Sequence, residues 1–200
     1  MSRTLHGHPL SGNTHKVRLL LGFLDLHYRE IAIDIPSSEQ KRPEFLAVNP
    51  VGQVPVLTDE DGTRIHDSQA ILVYLGARYG SGAWWPTAAS EQGKVAQWLS
   101  FAANEVQNGL NLARLHFLLG APIDLAAAQA LGRRALRMLE EHLSTREWLE
   151  LDHPTVADCA VFPYVALAPE GNIMLDEYAA VSRWLQRVRA LPGFKTMPGL

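Results

Sequence analysis

The chain has 200 residues, 47% hydrophobic and 20% charged, with a formal net charge of -3, a balance that supports a packed core and excludes a disordered chain. With no Lys/Arg run longer than Arg133-Arg134, it offers no extended field for a phosphate backbone, so nucleic acid is not expected as a partner. The single cysteine, Cys159, excludes an internal disulfide, a CxxC redox pair and a multi-cysteine zinc site, and the one close histidine pair, His6 and His8, is too few ligands to suggest a metal.

The segment from Met1 to Leu10 carries His, Gly and Pro where a signal peptide needs a basic start and an apolar run. The purely apolar stretches fall far short of the ~20 residues of a membrane span, so a cytoplasmic protein without a membrane partner is expected. Thr4 to Gly7 reads as a strand. Ser11-Gly12-Asn13-Thr14 then gathers cap-type residues ahead of Val17, Leu20, Leu21 and Leu24 at helical spacing. From Tyr28 to Ile35, the isoleucines 31, 33 and 35 fall on one side of a half-buried strand, which closes a βαβ unit. Val54 to Leu57 forms a short strand, Asp59 to Gly62 a turn, and Arg64-Ile65-His66 the return strand of a hairpin. Asp67-Ser68 supplies an N-cap for a helix carrying Ile71, Tyr74, Leu75 and Tyr79 on one face.

Periodicity breaks from Gly80 to Thr87, the pattern of a linker. Beyond it, Val95, Leu99, Ala102, Val106, Leu110, Ala113 and Phe117 keep a helical repeat, as do Leu131, Ala135, Met138 and Leu139, and later Val181, Trp184, Leu185 and Val188. The expected fold is therefore a thioredoxin-like α/β domain over residues 1–80 followed by an all-helical domain over residues 87–200. In the second, Thr155 and Asp158 have the spacing of a capping box. Cys159, one residue on in an apolar helix, reads as a buried, inert thiol.

Three segments carry a resemblance: Ser11-Gly12-Asn13-Thr14-His15-Lys16-Val17-Arg18, then Asn49-Pro50-Val51-Gly52-Gln53-Val54-Pro55-Val56-Leu57, then Asp67-Ser68-Gln69-Ala70-Ile71 with Tyr74-Leu75. In this order and spacing they resemble the glutathione site of cytosolic glutathione transferases, with bacterial theta-like or nu-like members the best match. Thr155-Val156-Ala157-Asp158 is similar to the helix-capping box of that family's C-terminal domain. The resemblance implies glutathione as co-substrate, an enzyme that activates the glutathione thiolate for attack on an electrophile or reduction of a peroxide, and a homodimer. The alternative function is a glutathione-binding or interaction protein of the same fold with little turnover. A thioredoxin-type disulfide oxidoreductase is opposed by the missing CxxC.

Site roles follow from the same resemblance. Ser11 aligns with the serine that theta-like transferases use to donate a hydroxyl hydrogen to the sulfur, and Asn13 competes for that role, as an asparagine does in nu-like relatives. Simple capping of the first helix is the other reading of both. A cis Val54-Pro55 bond, which the family implies, would present the Val54 backbone to the cysteine of the ligand; an ordinary turn proline is the alternative. Ser68, at a helix start, suits the γ-glutamyl carboxylate, and Asp67 suits the neighbouring ammonium, again with plain capping as the alternative. Gln53, helped by Gln40 and Lys41, is the candidate for the glycine carboxylate. The second substrate would lie between the domains, walled by the first loop and the fourth helix, which makes Leu10 a candidate contact. Asn104, Asn108 and Asn111 read as one helical stripe lining that cleft, a dimer interface or a solvated face, and Arg114, one turn further, is placed to meet an anionic substrate.

Overall fold

The computed structural model describes residues 2–200. Four strands, β1 (Thr4–Gly7), β2 (Arg29–Ala32), β3 (Val56–Thr58) and β4 (Arg64–His66), form one sheet in the order β2-β1-β3-β4. β1 runs parallel to β2 and antiparallel to β3, and β3 is antiparallel to β4. Between the first two strands lies α1 (Gly12–Phe23); after the second come a 3-10 turn (Glu39–Lys41) and the short α2 (Pro43–Leu46); α3 (Ser68–Tyr79) follows the hairpin. This is a thioredoxin-like domain with a mixed sheet, and an all-helical domain follows it.

The side-chain alternation of strands sorts residues onto two faces. Leu5 and Leu57 join the main core with α1 and α3, whereas Val56 points the other way, into a small cluster with Ile33 and Phe45 under α2. Two expected strands are shorter than the pattern suggested. Ile31, Ile33 and Ile35 do share one face, but β2 stops at Ala32, the partner of Gly7 at the end of β1. Ile33 N still donates to the Gly7 carbonyl at 2.8 Å, and β1 ends there. β3 begins at Val56 and not Val54 because Pro55 has no N–H to give the ladder.

The second half comprises α4 (Ala89–Phe101), α5 (Leu112–Leu119), α6 (Leu125–Leu143), α7 (Val156–Ala166) and α8 (Ala179–Arg189). α4 and α5 are joined without a break by a π-helical stretch, Ala102–Asn111. Its buried positions, Ala102, Val106 and Leu110, recur every fourth residue, which the wider i→i+5 winding keeps on one face. The same winding separates the asparagines. Asn104 and Asn108 are exposed, the Asn108 amide donating to Asn104 Oδ1 at 3.0 Å, while Asn111 is buried. The expected single stripe is therefore not formed. The repeat also ends early: Phe117, read as apolar-face, is 52% exposed. The π stretch crosses α6 so closely that a Cβ on Gly109 would meet the Gly132 backbone at 2.6 Å, so only glycine fits there.

α7 is the hub. All eleven of its residues are buried, and it packs on α1 and α3 of the first domain and on α4 of the second. Its N-terminus carries the expected capping box: Thr155 Oγ1 accepts from Ala157 N, and Asp158 Oδ2 accepts from Thr155 N at 2.8 Å. The other carboxylate oxygen of Asp158 accepts from Trp184 Nε1 at 2.8 Å and from Leu149 N at 3.2 Å. Cys159 is buried, and burial pushes its thiol well up. No helix of the described residues is long and apolar enough to cross a membrane.

Candidate active site

A cleft of about 830 Å3 runs along the seam of the two domains, the size and setting of a small-molecule site. Its first-domain wall is built from the tips of two helices and the loop before β3. Leu10, Ser11 and Asn13 come from the start of α1, Asp67 and Gln69 from the start of α3, Gln53 and Val54 from the loop, and Gln40 and Lys41 from the 3-10 turn. Gln107, Asn111, Arg114, Leu115, Leu118, Leu119 and Tyr164 of the helical domain face them.

Ser11 caps α1, its Oγ accepting from Thr14 N at 3.1 Å. That bond uses a lone pair and leaves the hydroxyl hydrogen free, so capping and donation to a ligand are compatible. The Asn13 backbone N–H donates to the Tyr164 hydroxyl at 3.2 Å, and its side-chain Oδ1 lies 3.5 Å from Ser68 Oγ. Among the described residues no acceptor is found for the Asn13 amide hydrogens. Two donor groups therefore converge at the N-terminus of α1, where the exposed N–H groups and helix dipole favour an anion.

The Val54-Pro55 bond is cis. Among the described residues no group bonds the Val54 N–H or C=O, whereas the Gln53 carbonyl is held by Asn49 Nδ2 at 2.8 Å. At the neighbouring helix tip Asp67 has φ 72° and ψ 126°, a conformation that L-residues rarely take and that functional sites often store. Its Oδ1 accepts from Gln69 N at 2.9 Å and Ala70 N at 3.0 Å, leaving Oδ2 exposed. Ser68 is 2% exposed, its hydroxyl bonded to Gln69 at 2.5 Å. Its hydroxyl thus sits between Gln69 and Asn13, two residues of the lining, and its backbone N–H is the first of α3. Gln40 Oε1 is buried without a partner, and Lys41 Nζ reaches the Val51 carbonyl at 3.4 Å.

From the helical domain, Arg114 is 2% exposed, with Nη1 donating to the Leu10 carbonyl at 2.9 Å and Nε paired with Glu170. It ties the loop before Ser11 to the second domain. Tyr164 approaches α1 closely: a Cβ on Gly12 would lie 2.4 Å from Tyr164 Cε1, so glycine at 12 is what lets the two helices touch. Burial pushes the Tyr164 hydroxyl up to about 12. Within α1, behind the residues that line the cleft, burial brings the His15 imidazole down to about 3 and the Lys16 amine down to about 7, with Asp67 opposing the latter.

Leu10, Ser11, Asn13, Gln40, Gln53, Val54, Asp67 and Arg114 thus line one cleft, and Pro55 and Ser68 each adjoin a lining residue in the chain. Asn108 is the exception, being exposed and outside the lining. Among the lining residues that sequence reasoning passed over are Gln69, Gln107, Tyr164 and the leucines 115, 118 and 119. Gln69 had a signal, lying beside the Asp67-Ser68 cap. Tyr164 had none, since its hydrogen bond joins residues 151 apart.

Comparison with known proteins agrees on one family. The sequence model for the glutathione S-transferase N-terminal domain matches residues 10–78, and that for the C-terminal domain matches residues 121–192. The chain is 30% identical over 190 residues to the disulfide-bond oxidoreductase YfcG of Escherichia coli K12, covering 90% of this chain and 87% of that one. A glutathione S-transferase crystal structure from Pseudomonas fluorescens Pf-5 superposes with a TM-score of 0.92 at 30% identity, covering 99% of this chain and 100% of that one. Ure2p in complex with glutathione superposes at 0.87 with 28% identity, covering 96% of each chain. With a family model on each half and relatives aligned along nearly the whole length, the chain belongs to the glutathione S-transferase family.

Proposed function

We propose that the protein is a glutathione transferase that holds glutathione along the first-domain wall of the cleft and activates its thiol at the tip of α1. The observation that carries this reading is the pair of unspent donors, the Ser11 hydroxyl and the Asn13 amide, placed beside the unpaired Val54 backbone in one cleft. The Val54 backbone suits the backbone of the ligand's cysteine, adding a short strand-like partner. Asp67 Oδ2 suits the γ-glutamyl ammonium, the first N–H groups of α3 its carboxylate, and Gln53 with Gln40 and Lys41 the glycine carboxylate. The thiolate sulfur then attacks the electrophilic carbon, and the leaving group departs with the bonding pair. The electrophile faces Leu10, Arg114 and the leucines of α5.

A free thiol near pKa ~8.5 is mostly protonated at neutral pH. A charge-assisted hydrogen bond together with the helix dipole supplies ~2 to 3 kcal/mol, about two pKa units, which makes thiolate the majority form. Serine is too weak an acid or base to take the proton itself, so Ser11 acts as donor and Asn13 is its rival for that role.

The test is retention on immobilised glutathione together with turnover of chlorodinitrobenzene, a hydroperoxide and a small disulfide. The disulfide is included because one relative is named as a disulfide-bond oxidoreductase. Retention with turnover supports the enzyme; retention without turnover favours a binding protein of the same fold; no retention overturns the glutathione reading. As the family resemblance implies, the protein is proposed to be a cytoplasmic homodimer. Sedimentation at the mass of one 22.1 kDa chain at micromolar concentration would refute the dimer.

A further inference from the structure

Directly behind the tip of α1 sit two buried titratable side chains that the reading above does not use. His15 and Lys16 are fully enclosed, and neither His15 ring nitrogen nor Lys16 Nζ has a hydrogen-bond partner. His15 resolves this by being neutral, and burial without a partner disfavours the charged form of Lys16 as well. Lys16 Nζ instead lies 5.3 Å from the centroid of the Tyr164 ring, within reach of a cation–π contact. The same tyrosine lines the cleft, abuts Gly12 and accepts from the Asn13 N–H at 3.2 Å. Lys16 is thereby one aromatic ring away from the donors proposed for the sulfur.

The titratable groups that face it are Tyr164 from α7, Asp67 from the cap of α3, and its neighbour His15 on α1. Asp67 is the one carboxylate among them, and it is exposed, with one oxygen committed to capping. Burial brings the Lys16 amine down to about 7, so near neutral pH the empty site holds it divided between ammonium and free amine. The one counter-charge that such an ammonium has is Asp67, an exposed carboxylate shared with the α3 cap, until an anion enters the cleft.

We propose that Lys16 is the charge partner of the bound thiolate, a positioning residue that becomes fully ammonium when the anionic sulfur occupies the tip of α1. The inference rests on the glutathione reading above. The balance is one proton: the thiol S–H gives a proton to solvent, a free-amine Lys16 takes one from solvent, and thiolate and ammonium result. Thiolate formed at the site therefore exceeds protons released to the buffer.

The experiment titrates glutathione into the full-length protein at pH 7 in buffers of different ionisation enthalpy, which counts protons, while the ultraviolet thiolate band counts thiolate. In the parent, thiolate should exceed released protons by about half a proton per site, the fraction of free amine at a pKa equal to the pH. Lys16→Arg, always charged, should form thiolate with one proton released for each. Lys16→Met should raise the bound thiol's pKa by about one unit. Equal thiolate and proton counts in the parent overturn the proposal whether or not either variant folds, as does an unchanged thiol pKa in Lys16→Met. If the parent does not bind glutathione, the glutathione reading itself falls and takes this one with it. If the parent binds and turns over glutathione with equal counts, only the role of Lys16 falls.

Discussion

The N-termini of α1 and α7 begin alike and end differently. Each starts with a hydroxyl residue, Ser11 or Thr155, whose oxygen accepts from the first turn of its helix. At α7 the cap is closed: Asp158 is buried and accepts from Thr155 N, Leu149 N and Trp184 Nε1. At α1 the corresponding groups open on a cleft with the Ser11 hydrogen and the Asn13 amide uncommitted. The same local motif is folding machinery where every donor is spent and a candidate reaction site where donors remain. What separates them is the tertiary surrounding, not the cap.

If that contrast is right, damage at the closed cap should cost the most stability. Asp158→Ala strands three buried donors and is expected to destabilise the fold by on the order of 3–5 kcal/mol, read from denaturant unfolding. A loss below about 1 kcal/mol would mean that the closed cap is not the stronger of the two.

The second measurement concerns the buried shoulder of the open cap. Burial, with Arg18 adding to it, holds His15 in the fold at about 3, whereas an unfolded histidine has a pKa of about 6.5. As pH falls below 6.5 the unfolded chain takes up the proton first, so this contribution is complete above 6.5 and is lost progressively toward 3. Between pH 7 and pH 4 the loss should be on the order of 2–3 kcal/mol. His15→Leu should flatten that slope in paired denaturant titrations; an equal slope in both proteins would assign it to other groups.

At the open cap itself the expected effect is on chemistry. Ser11→Ala should raise the bound thiol's pKa, by less than the about two units that hydrogen bond and dipole supply together, and lower turnover while sparing glutathione affinity, at a cost of about 1 kcal/mol in stability. The ultraviolet thiolate band, titrated with pH, decides between Ser11 and Asn13. If only Asn13→Ala shifts it, the roles are exchanged, and if neither does, backbone donors hold the thiolate. Smallest is the effect of Asp67→Ala, expected to weaken glutathione binding by about 1–2 kcal/mol, measured calorimetrically. Unchanged affinity would reduce Asp67 to a helix cap.

The sequence was most legible where structure is local. Ser11, Asp67 and Thr155 are caps, and a cap is announced by its own side chain and the few residues after it. The two domain types and the strand faces followed from periods of two and about 3.6, so Ile31, Ile33 and Ile35 were placed on the correct side even though β2 ends before two of them. Three things were not readable. Tyr164 enters the cleft through a contact across the whole chain. Ser68 sits beside Asp67 in sequence, yet it is buried with its hydroxyl bonded to Gln69 and is not itself part of the lining. And three asparagines at helical spacing were separated because the helix that holds them is not wound as an α-helix.

That last feature bears on which insertions and deletions the protein tolerates. A π segment holds more residues per turn than an α-helix, so a residue removed from 102–111 while that winding persists changes the rotation accumulated between α4 and α5. Its effect would be felt downstream. Everything beyond the deletion would swing by about 100°, the rotation carried by one helical residue. Arg114 would then turn away from the Leu10 carbonyl, and Leu115 from the cleft. The surplus in this winding is thus a phase setting, and length variation among homologues should be rare within it and freer at the loop between α5 and α6.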